Sequence, residues 1–182
     1  MTTALLLIDL QIDYFEGGAM ALVGADHAVA NAALLLARFR ERALPVFHVQ
    51  HLATRPGATF FLPGTPGAEI HEAVKPRDGE VLTVKHYPNS FRDTPLLAAL
   101  RAAEVSKLVV AGMMTHMCVD TTVRAAADLG FACTLAGDAC ATRDLVFDGE
   151  RVDSHQVQLA YLAALNGSFA AVQGTQRICA GV

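Results

Sequence analysis

The sequence contains few charged residues and no cluster of basic ones. Asp, Glu, Lys and Arg make up 18% of its 182 residues, and the formal net charge is -4. Because proteins that bind nucleic acid need a basic surface, we do not expect nucleic acid as a partner. No apolar run reaches the roughly 18 residues that a membrane helix requires, so we do not expect a membrane partner either.

The sequence also lacks any disulfide or zinc pattern among its four cysteines, which are Cys118, Cys133, Cys140 and Cys179. None of their spacings matches C-x-x-C or a zinc site. The apolar run from Ala4 to Leu10 includes Asp9 and follows no cationic segment, so we interpret it as a strand and not as an export signal. A cytoplasmic location with reduced thiols is therefore expected.

Hydrophobic residues, by contrast, are abundant at 53% of the chain. This excess favours a sheet buried on both faces, together with an interface between copies of the chain. We therefore expect a homodimer or a higher homo-oligomer.

Short apolar runs alternate with helical patterns along the whole sequence. Strands are predicted at 4–8, 46–49, 81–84, 107–111, 131–136 and 168–172, and helices at 28–42, 94–103, 119–129 and 151–165. This alternation predicts one domain over residues 1–182, a three-layer α/β/α arrangement around a doubly wound, mainly parallel six-stranded sheet. Asp26 is a candidate cap for the first helix, and no element is predicted after residue 172.

Two common ligand classes are disfavoured by missing motifs. No Gly-x-Gly-x-x-Gly follows the first strand and no Gly-Lys-Ser/Thr occurs, which argues against a dinucleotide site and a P-loop. The stretch from Gln50 to Glu80 is rich in proline and glycine and carries no predicted element. A loop of that length is usually functional, so we expect it to shape a binding pocket.

Cys118 lies between the strand predicted at 107–111 and the helix predicted at 119–129. A helix N-terminus offers unpaired N–H groups and the positive end of the macrodipole, and both favour thiolate over thiol. Since the thiolate is the nucleophile, Cys118 is a candidate catalytic residue. The alternative is a buried cysteine that only fills space.

Asp9 ends the first predicted strand and Lys85 ends the third, and parallel strands bring both to the edge of the sheet where Cys118 lies. A carboxylate there can accept the thiol proton and later protonate a leaving amine. An ammonium stabilises both anions. Taken singly, Asp9 has a simpler explanation as a turn cap, and Lys85 as a solvated strand end.

On several motifs the chain resembles the isochorismatase-like cysteine hydrolase superfamily over nearly its full length. The matching residues are Asp9-x-Gln11 with Asp13 and Phe15, the segment from Gly64 to Glu69, Lys85 with Ser90-Phe91, the segment from Gly112 to Val119, and the segment from Asp138 to Thr142. The resemblance implies an isochorismatase-like, Rossmann-like fold.

The resemblance also implies roles for individual residues. Cys118 would be the nucleophile, Asp9 the base and acid, and Lys85 the third member of a triad. The N–H groups of Met114 and Cys118 would form the oxyanion hole, with a cis peptide between Met113 and Met114.

Nicotinamidases of this superfamily carry Asp-x-His after the second strand and bind a metal there. Here the matching residues are Gln50-His51-Leu52, so no metal is expected and no cofactor is implied. Four histidines, His48, His51, His71 and His86, could in principle form another metal site. Their spacing does not follow a metal-ligand pattern.

Candidate substrate contacts are Phe15, Gln50, Tyr87, Phe91 and His116, whereas Phe60 and Phe61 are more simply explained as core residues. Retention of Cys118 favours cleavage of a C–N bond in a small amide, carbamoyl or ureide substrate. The alternatives left open are a vinyl ether hydrolase on the same scaffold, a thiol redox protein, and a non-catalytic binding module.

Overall fold

The computed structural model describes residues 2–182, and its central feature is a six-stranded sheet. The strands of the protein are β1 (Thr2–Ile8), β2 (Val46–His51), β3 (Val81–Lys85), β4 (Val105–Met113), β5 (Ala132–Ala141), β6 (Leu145–Phe147), β7 (Glu150–Val152) and β8 (Ala171–Gln173). The sheet has the order β3-β2-β1-β4-β5-β8, and every neighbouring pair is parallel. The predicted doubly wound α/β sheet is therefore confirmed.

Five α-helices cover the two faces of this sheet: α1 (Ala25–Glu41), α2 (Leu96–Ala102), α3 (Asp120–Asp128), α4 (Ser154–Leu165) and α5 (Thr175–Gly181). The core on one face contains residues of α1 and α5, and the core on the other contains residues of α2, α3 and α4. These are the three layers that the alternation of elements predicts.

The central strand β1 explains why its sequence is uninterruptedly apolar. Leu5 and Leu7 face the α1 side, while Leu6 and Ile8 face the α3 side, and all four are buried. Burying such a side chain stabilises the fold by about 1.5–3 kcal/mol. Since both faces are covered, every position of the strand is apolar.

One local prediction was wrong, and two elements were missed. Helix α1 begins after Gly24, which adopts a left-handed conformation with φ of 77°, and Asp26 lies inside the first turn without capping it. An antiparallel hairpin formed by β6 and β7 was not predicted. Beyond residue 172, where no element was expected, α5 packs through Ile178 into the core beneath α1.

Helix α3 is preceded by a π-helical turn, Thr115–Val119, which the prediction of a single helix from residue 119 did not include. Cys118 therefore lies inside a wide turn and not at the end of a regular helix. Among residues 2–182, no helix combines the length and hydrophobicity needed to cross a membrane.

Candidate active site

Four polar side chains meet at the carboxyl edge of the sheet. Asp9 directly follows β1, His51 and Lys85 are the last residues of β2 and β3, and Cys118 lies in the turn after β4. Because β1 lies between β2 and β4 in the sheet, strands from distant parts of the sequence deliver these groups to one place. The structure thus brings Asp9, Lys85 and Cys118 together, as the topology predicts.

Asp9 and Lys85 form a fully buried ion pair, with Nζ of Lys85 2.7 Å from Oδ2 of Asp9. The ammonium also donates to the carbonyl oxygens of Tyr87 and Pro88, each at 3.1 Å. Neither carboxylate oxygen of Asp9 has a well-aligned hydrogen-bond partner among residues 2–182, so the short approach is an ion pair and not a directional hydrogen bond. A buried pair of this kind is retained only where it has a use or where breaking it is costly.

The electrostatics of the pair keep both groups charged. Burial alone would raise the pKa of Asp9, but the ammonium of Lys85 and the neighbouring His51 and Cys118 hold it below its usual value. Burial would likewise lower the pKa of Lys85, yet the carboxylate of Asp9 and nearby Cys118 raise it. The site therefore holds one fixed negative and one fixed positive charge out of water.

The backbone of Asp9 adopts an unusual left-handed conformation with φ of 51°. Its N–H still donates to the carbonyl oxygen of Val49 on β2 at 3.0 Å. Asp tolerates this region better than most residues, although single residues held there cost of order 1–3 kcal/mol. Such strain clusters at functional sites, where it directs a side chain that regular strand geometry would not.

Cys118 is only 4% exposed. Burial raises the pKa of its thiol well above the usual value, and the negative charge of Asp9 raises it further, while Lys85 opposes the shift. The expectation that a helix N-terminus favours the thiolate is therefore wrong for the resting protein. Desolvation is the largest influence on this thiol, which therefore needs a proton acceptor beside it in order to ionise.

The turn that carries Cys118 is held against β5. Nδ1 of His116 lies 2.6 Å from Oγ1 of Thr142, and Oγ1 of Thr115 lies 2.6 Å from Oε1 of Gln158 on α4. Three residues before the turn, Gly112 has a φ of 146°, and a Cβ there would collide with the carbonyl of Ile8 on the neighbouring β1. The peptide bond between Met113 and Met114 is cis.

His51 is the member of this cluster to which sequence reasoning gave no role. Its Nδ1 lies 3.4 Å from Nζ of Lys85, 3.8 Å from Oδ2 of Asp9 and 3.9 Å from Sγ of Cys118. Gln11 clamps its backbone from both sides, since the amide of Gln11 accepts from the N–H of His51 at 2.8 Å and donates to its carbonyl at 2.9 Å. The signal available in the sequence was its position at the end of a strand next to β1.

Asp9, His51 and Cys118 each offer one ligand atom within 4.8 Å of the others, and all three are ligand types that zinc accepts. Lys85, however, places its ammonium 2.7 Å from the carboxylate that would have to bind the ion. A cation would have to displace that ammonium, so the cluster is better suited to proton transfer than to holding a metal.

Two predicted substrate contacts have other partners in the structure. The ring of Phe15 packs on the ring of His71, with centroids 4.3 Å apart, and the amide of Gln50 donates to the carbonyl of Ala68 at 2.9 Å. Successive strand residues point to opposite faces of the sheet. The side chain of His51 therefore lies beside the triad, and the side chain of Gln50, which was predicted to contact substrate, points the other way.

Of the other three predicted contacts, Tyr87 and His116 lie near the site, whereas Phe91 packs away from it. The half-exposed ring of Tyr87 lies 3.7 Å beneath the guanidinium of Arg92. Phe91 stacks on Phe131 just before β5, so it packs towards the amino end of the sheet and not at the edge where Cys118 lies. His116 is directed towards Thr142, and burial lowers its pKa.

The architecture and the sequence both match proteins of one family. The model of the isochorismatase domain matches residues 3–177. The chain belongs to the isochorismatase family. The isochorismatase family protein YddQ of Bacillus subtilis is 50% identical over 176 residues, which are 97% of this chain and 98% of that protein. A crystal structure assigned to an isochorismatase hydrolase from Oleispira antarctica has a TM-score of 0.96 at 50% identity and covers 99% of this chain and 97% of that one.

Some isochorismatase-family relatives have names that state a reaction. Maleamate amidohydrolase of Pseudomonas putida is 34% identical over 142 residues, covering 70% of this chain and 67% of that protein. The structure of N-carbamoylsarcosine amidase from Thermoplasma acidophilum has a TM-score of 0.79 at 25% identity and covers 96% and 97% of the two chains. The protein is accordingly an isochorismatase-family hydrolase.

Proposed function

We propose that the protein is a cysteine hydrolase that cleaves a C–N bond in a small amide, carbamoyl or ureide substrate. The observation that carries this proposal is the convergence of a carboxylate, an ammonium and a thiol at one buried position. Relatives named as an amidohydrolase and an amidase support the same bond type. No metal or other cofactor takes part in the proposed reaction.

The proposed reaction proceeds through a thioester. The Cys118 thiol loses its proton to Asp9, and the thiolate attacks the substrate carbonyl. Asp9 protonates the departing nitrogen, and a water molecule activated by the same carboxylate hydrolyses the thioester and regenerates the thiol. Lys85 stabilises the negative charge that moves between carboxylate and sulfur.

The oxyanion of the tetrahedral intermediate needs donors that are already in place. We assign this role to the N–H groups of Met114, which directly precedes the π-helical turn, and of Cys118, which lies within it. Backbone donors fixed by a braced turn require no reorganisation during the reaction, and removing one such donor typically costs about 2.7–4 kcal/mol. The contacts of Thr115 and His116 with neighbouring elements support this assignment because they fix the turn.

The proposal is tested by screening small amides, carbamoyl compounds and ureides for release of ammonia. We expect turnover of at least one compound by the wild type and none by Cys118→Ala, with unchanged far-UV and near-UV circular dichroism. Cys133→Ala is the matched control, because Cys133 is another buried free cysteine that has no part in the site.

The competing functions give different results in the same experiment. A vinyl ether hydrolase would release no ammonia and would keep its activity without the thiol. A non-catalytic module would show neither activity, and its Cys118 would resist alkylation by iodoacetamide at neutral pH. A thiol redox protein would form a disulfide with a second cysteine on mild oxidation.

A homodimer or larger homo-oligomer is part of the proposal. Helix α4 contains no Asp, Glu, Lys or Arg, yet Leu159 on it is 61% exposed, and Phe147 in the hairpin is 84% exposed. The second half of this helix, residues 159–165, has apolar residues at exposed as well as buried positions, and an exposed apolar patch is a candidate interface. Sedimentation should show a multiple of the chain mass that Leu159→Glu reduces; a monomeric wild type would refute this part.

The cytoplasmic location also remains a proposal. None of the four cysteines is paired within residues 2–182, which suits a reducing compartment. Fractionation of cells that express the full-length protein would test it.

A further inference from the structure

The ammonium of Lys85 is held in place by the segment that follows β3. Besides the ion pair with Asp9, its Nζ donates hydrogen bonds to the carbonyl oxygens of Tyr87 and Pro88, each at 3.1 Å. Nδ1 of His51 lies 3.4 Å away. Because the approach to Asp9 is not a well-aligned hydrogen bond, these two carbonyls provide the directional contacts to oxygen that fix the ammonium.

The segment that supplies these carbonyls has no regular secondary structure, and it is attached to α3. The backbone N–H of Ser90 donates to Oγ1 of Thr122 at 3.1 Å, and the two hydroxyl oxygens lie 2.9 Å apart. Oγ1 of Thr122 also lies 3.4 Å from the carbonyl oxygen of Pro88. Within residues 2–182, every hydrogen bond between residues 87–90 and a helix is made by Thr122. This one side chain therefore determines where the segment lies against α3.

The hydroxyl pair links the ammonium to the element that carries the nucleophile. Ser90 and Thr122 are both fully buried, and a buried hydroxyl or N–H group that loses its partner is costly, so the pair keeps its geometry. Thr122 lies four residues after Cys118, about one helical turn farther along the chain. The distance between the thiol and the ammonium of Lys85 is therefore set through Thr122 and the segment bound to it.

We propose that Thr122 and Ser90 are positioning residues that act through Lys85. Their paired hydroxyls keep its ammonium beside the carboxylate and the thiol of the site. This inference rests on the proposed cysteine hydrolase function and changes none of its proton transfers, since Asp9 still accepts the proton of Cys118. Neither hydroxyl takes part in those transfers.

Loss of this positioning should make the thiol harder to ionise. Burial, followed by the charge of Asp9, raises the pKa of the Cys118 thiol, and the ammonium is the main influence that opposes the rise. His51, the other titratable group beside the ammonium, remains attached to β2. Without the hydroxyl of Thr122, the carbonyl of Pro88 can shift and the ammonium loses its fixed distance from the sulfur. The thiolate fraction should then fall.

The test measures the rate at which iodoacetamide alkylates Cys118 between about pH 7 and about pH 9.5, followed by peptide mass spectrometry. Thr122→Val keeps the shape of the side chain but removes the hydroxyl, whereas Thr122→Ser keeps the hydroxyl. Ser90→Ala removes the other hydroxyl of the pair. Thr121→Val is the matched control, because Thr121 is a partly exposed threonine on the same helix.

We expect Thr122→Val to react about tenfold more slowly than the wild type at each pH, because one unit of increase in the thiol pKa lowers the thiolate fraction tenfold. Thr122→Ser and Thr121→Val should react at the wild-type rate. Ser90→Ala should slow the reaction by only about threefold, since Oγ1 of Thr122 keeps its bond from the backbone N–H.

A merely structural role would give a change of the opposite sign. Loosening of the fold would expose buried thiols and speed the alkylation of Cys118 and also of Cys133, another buried free cysteine. A faster or an unchanged reaction of Cys118 in Thr122→Val would therefore overturn the proposal. If Thr122→Val does not fold, Ser90→Ala decides, and a wild-type or faster rate in that variant would overturn the proposal as well.

The alkylation experiment needs no substrate, so it separates this inference from the proposed function. If Cys118 responds as expected but no amide is hydrolysed, the positioning role stands and the substrate class is wrong. If amides are hydrolysed but Thr122→Val is alkylated like the wild type, only the positioning role fails. If wild-type Cys118 is not alkylated at all, the nucleophile and the positioning role both fail.

A substrate from the screen adds a second measurement. Thr122→Val should lower kcat and leave KM nearly unchanged, because the hydroxyl acts on the thiol and not on the bound substrate. Thr122→Ser should restore kcat. A rise in KM at an unchanged kcat would contradict the positioning role.

Discussion

The buried pair of Asp9 and Lys85 gives the sharpest prediction about stability. In Lys85→Met the side chain keeps a similar length but loses its charge, so the carboxylate of Asp9 is left in the interior without the ammonium that lies 2.7 Å away. Breaking a buried pair by removing one partner typically costs about 3–5 kcal/mol. For a chain of this size, that loss lowers the melting temperature by roughly 6–20 °C.

The loss of stability in Lys85→Met should depend on pH, and the environment of Asp9 determines the direction. In the wild type the pKa of Asp9 is lowered, so its ionised form contributes stability above the unfolded pKa, and this contribution is lost only as the pH falls through the lower folded value. Burial is already the largest single influence on this pKa, and without Lys85 the main opposing influence is gone, so we expect the folded pKa to rise above the unfolded one. The variant is then most stable below the unfolded pKa and loses stability as the pH rises through the raised value.

The assay is thermal and urea denaturation at about pH 5 and about pH 8, with a two-state fit. Lys85→Met should approach the wild type at the lower pH and fall furthest below it at the higher pH. The double variant Asp9→Asn/Lys85→Met should recover most of the loss, since removing both partners leaves no unpaired charge. Lys75→Met, at an exposed lysine paired with Glu72, should change stability by less than about 1 kcal/mol.

The reasoning would be refuted by a loss in Lys85→Met that is the same at both pH values. It would equally be refuted if the double variant were no more stable than the single one. Either result would mean that the cost comes from packing and not from an uncompensated charge.

Three further predictions concern contacts that stabilise the fold. Gly112→Ala should destabilise the fold by about 3 kcal/mol or more in urea titration, because a Cβ there collides with β1, whereas Gly181→Ala has open space and should be near neutral. Gln11→Ala should lower stability by about 1–3 kcal/mol in urea titration, because it leaves buried backbone groups of His51 and Ala68 without their hydrogen-bond partner. Burial would raise the pKa of Glu80, but hydrogen bonds led by that from Arg40 hold it at about 2, so its contribution to stability is present above its usual value of 4.5 and lost as the pH falls through about 2. Glu80→Gln should therefore cost about 1.5–3 kcal/mol near neutral pH and nothing near pH 2, as measured by urea titration at several pH values.

The parts of the fold that the sequence predicts best are those governed by burial. The core strands β1, β2 and β4 appear as apolar runs because both faces of the sheet are covered there, whereas the edge strand β3 is apolar although most of its residues are exposed. The order of the strands along the chain fixes which residues follow each carboxyl end. These two features were enough to predict where Asp9 and Lys85 lie. Periodicity and topology were sufficient because the sheet itself positions these residues.

The elements that were missed depend on tertiary contacts or on a local signal that was overlooked. Helix α5 is short and gains its stability from Ile178 packing beneath α1, which no local pattern records. The β6–β7 hairpin turns through Asp148-Gly149, both with positive φ, and Asp-Gly is the dipeptide that such a turn favours. The hairpin was therefore predictable.

The position of His51 beside the triad was not predictable in the same way. Comparison with a metal-binding pattern drew attention to its neighbours Gln50 and Leu52, while the alternation of strand residues directs the His51 ring to the triad. Only the distances from Nδ1 to its three neighbours distinguish it from an ordinary cleft histidine.

The most direct test of the central claim is to trap the covalent intermediate. A compound that releases ammonia in the screen is mixed with the enzyme, quenched in acid within the first turnovers, and analysed by intact-mass and peptide mass spectrometry. We predict the mass of the acyl group on Cys118 and on no other cysteine, with no adduct and no turnover in Cys118→Ala. Undiminished turnover in Cys118→Ala, or turnover by the wild type with the acyl group found elsewhere, would contradict the assignment of Cys118 as the nucleophile.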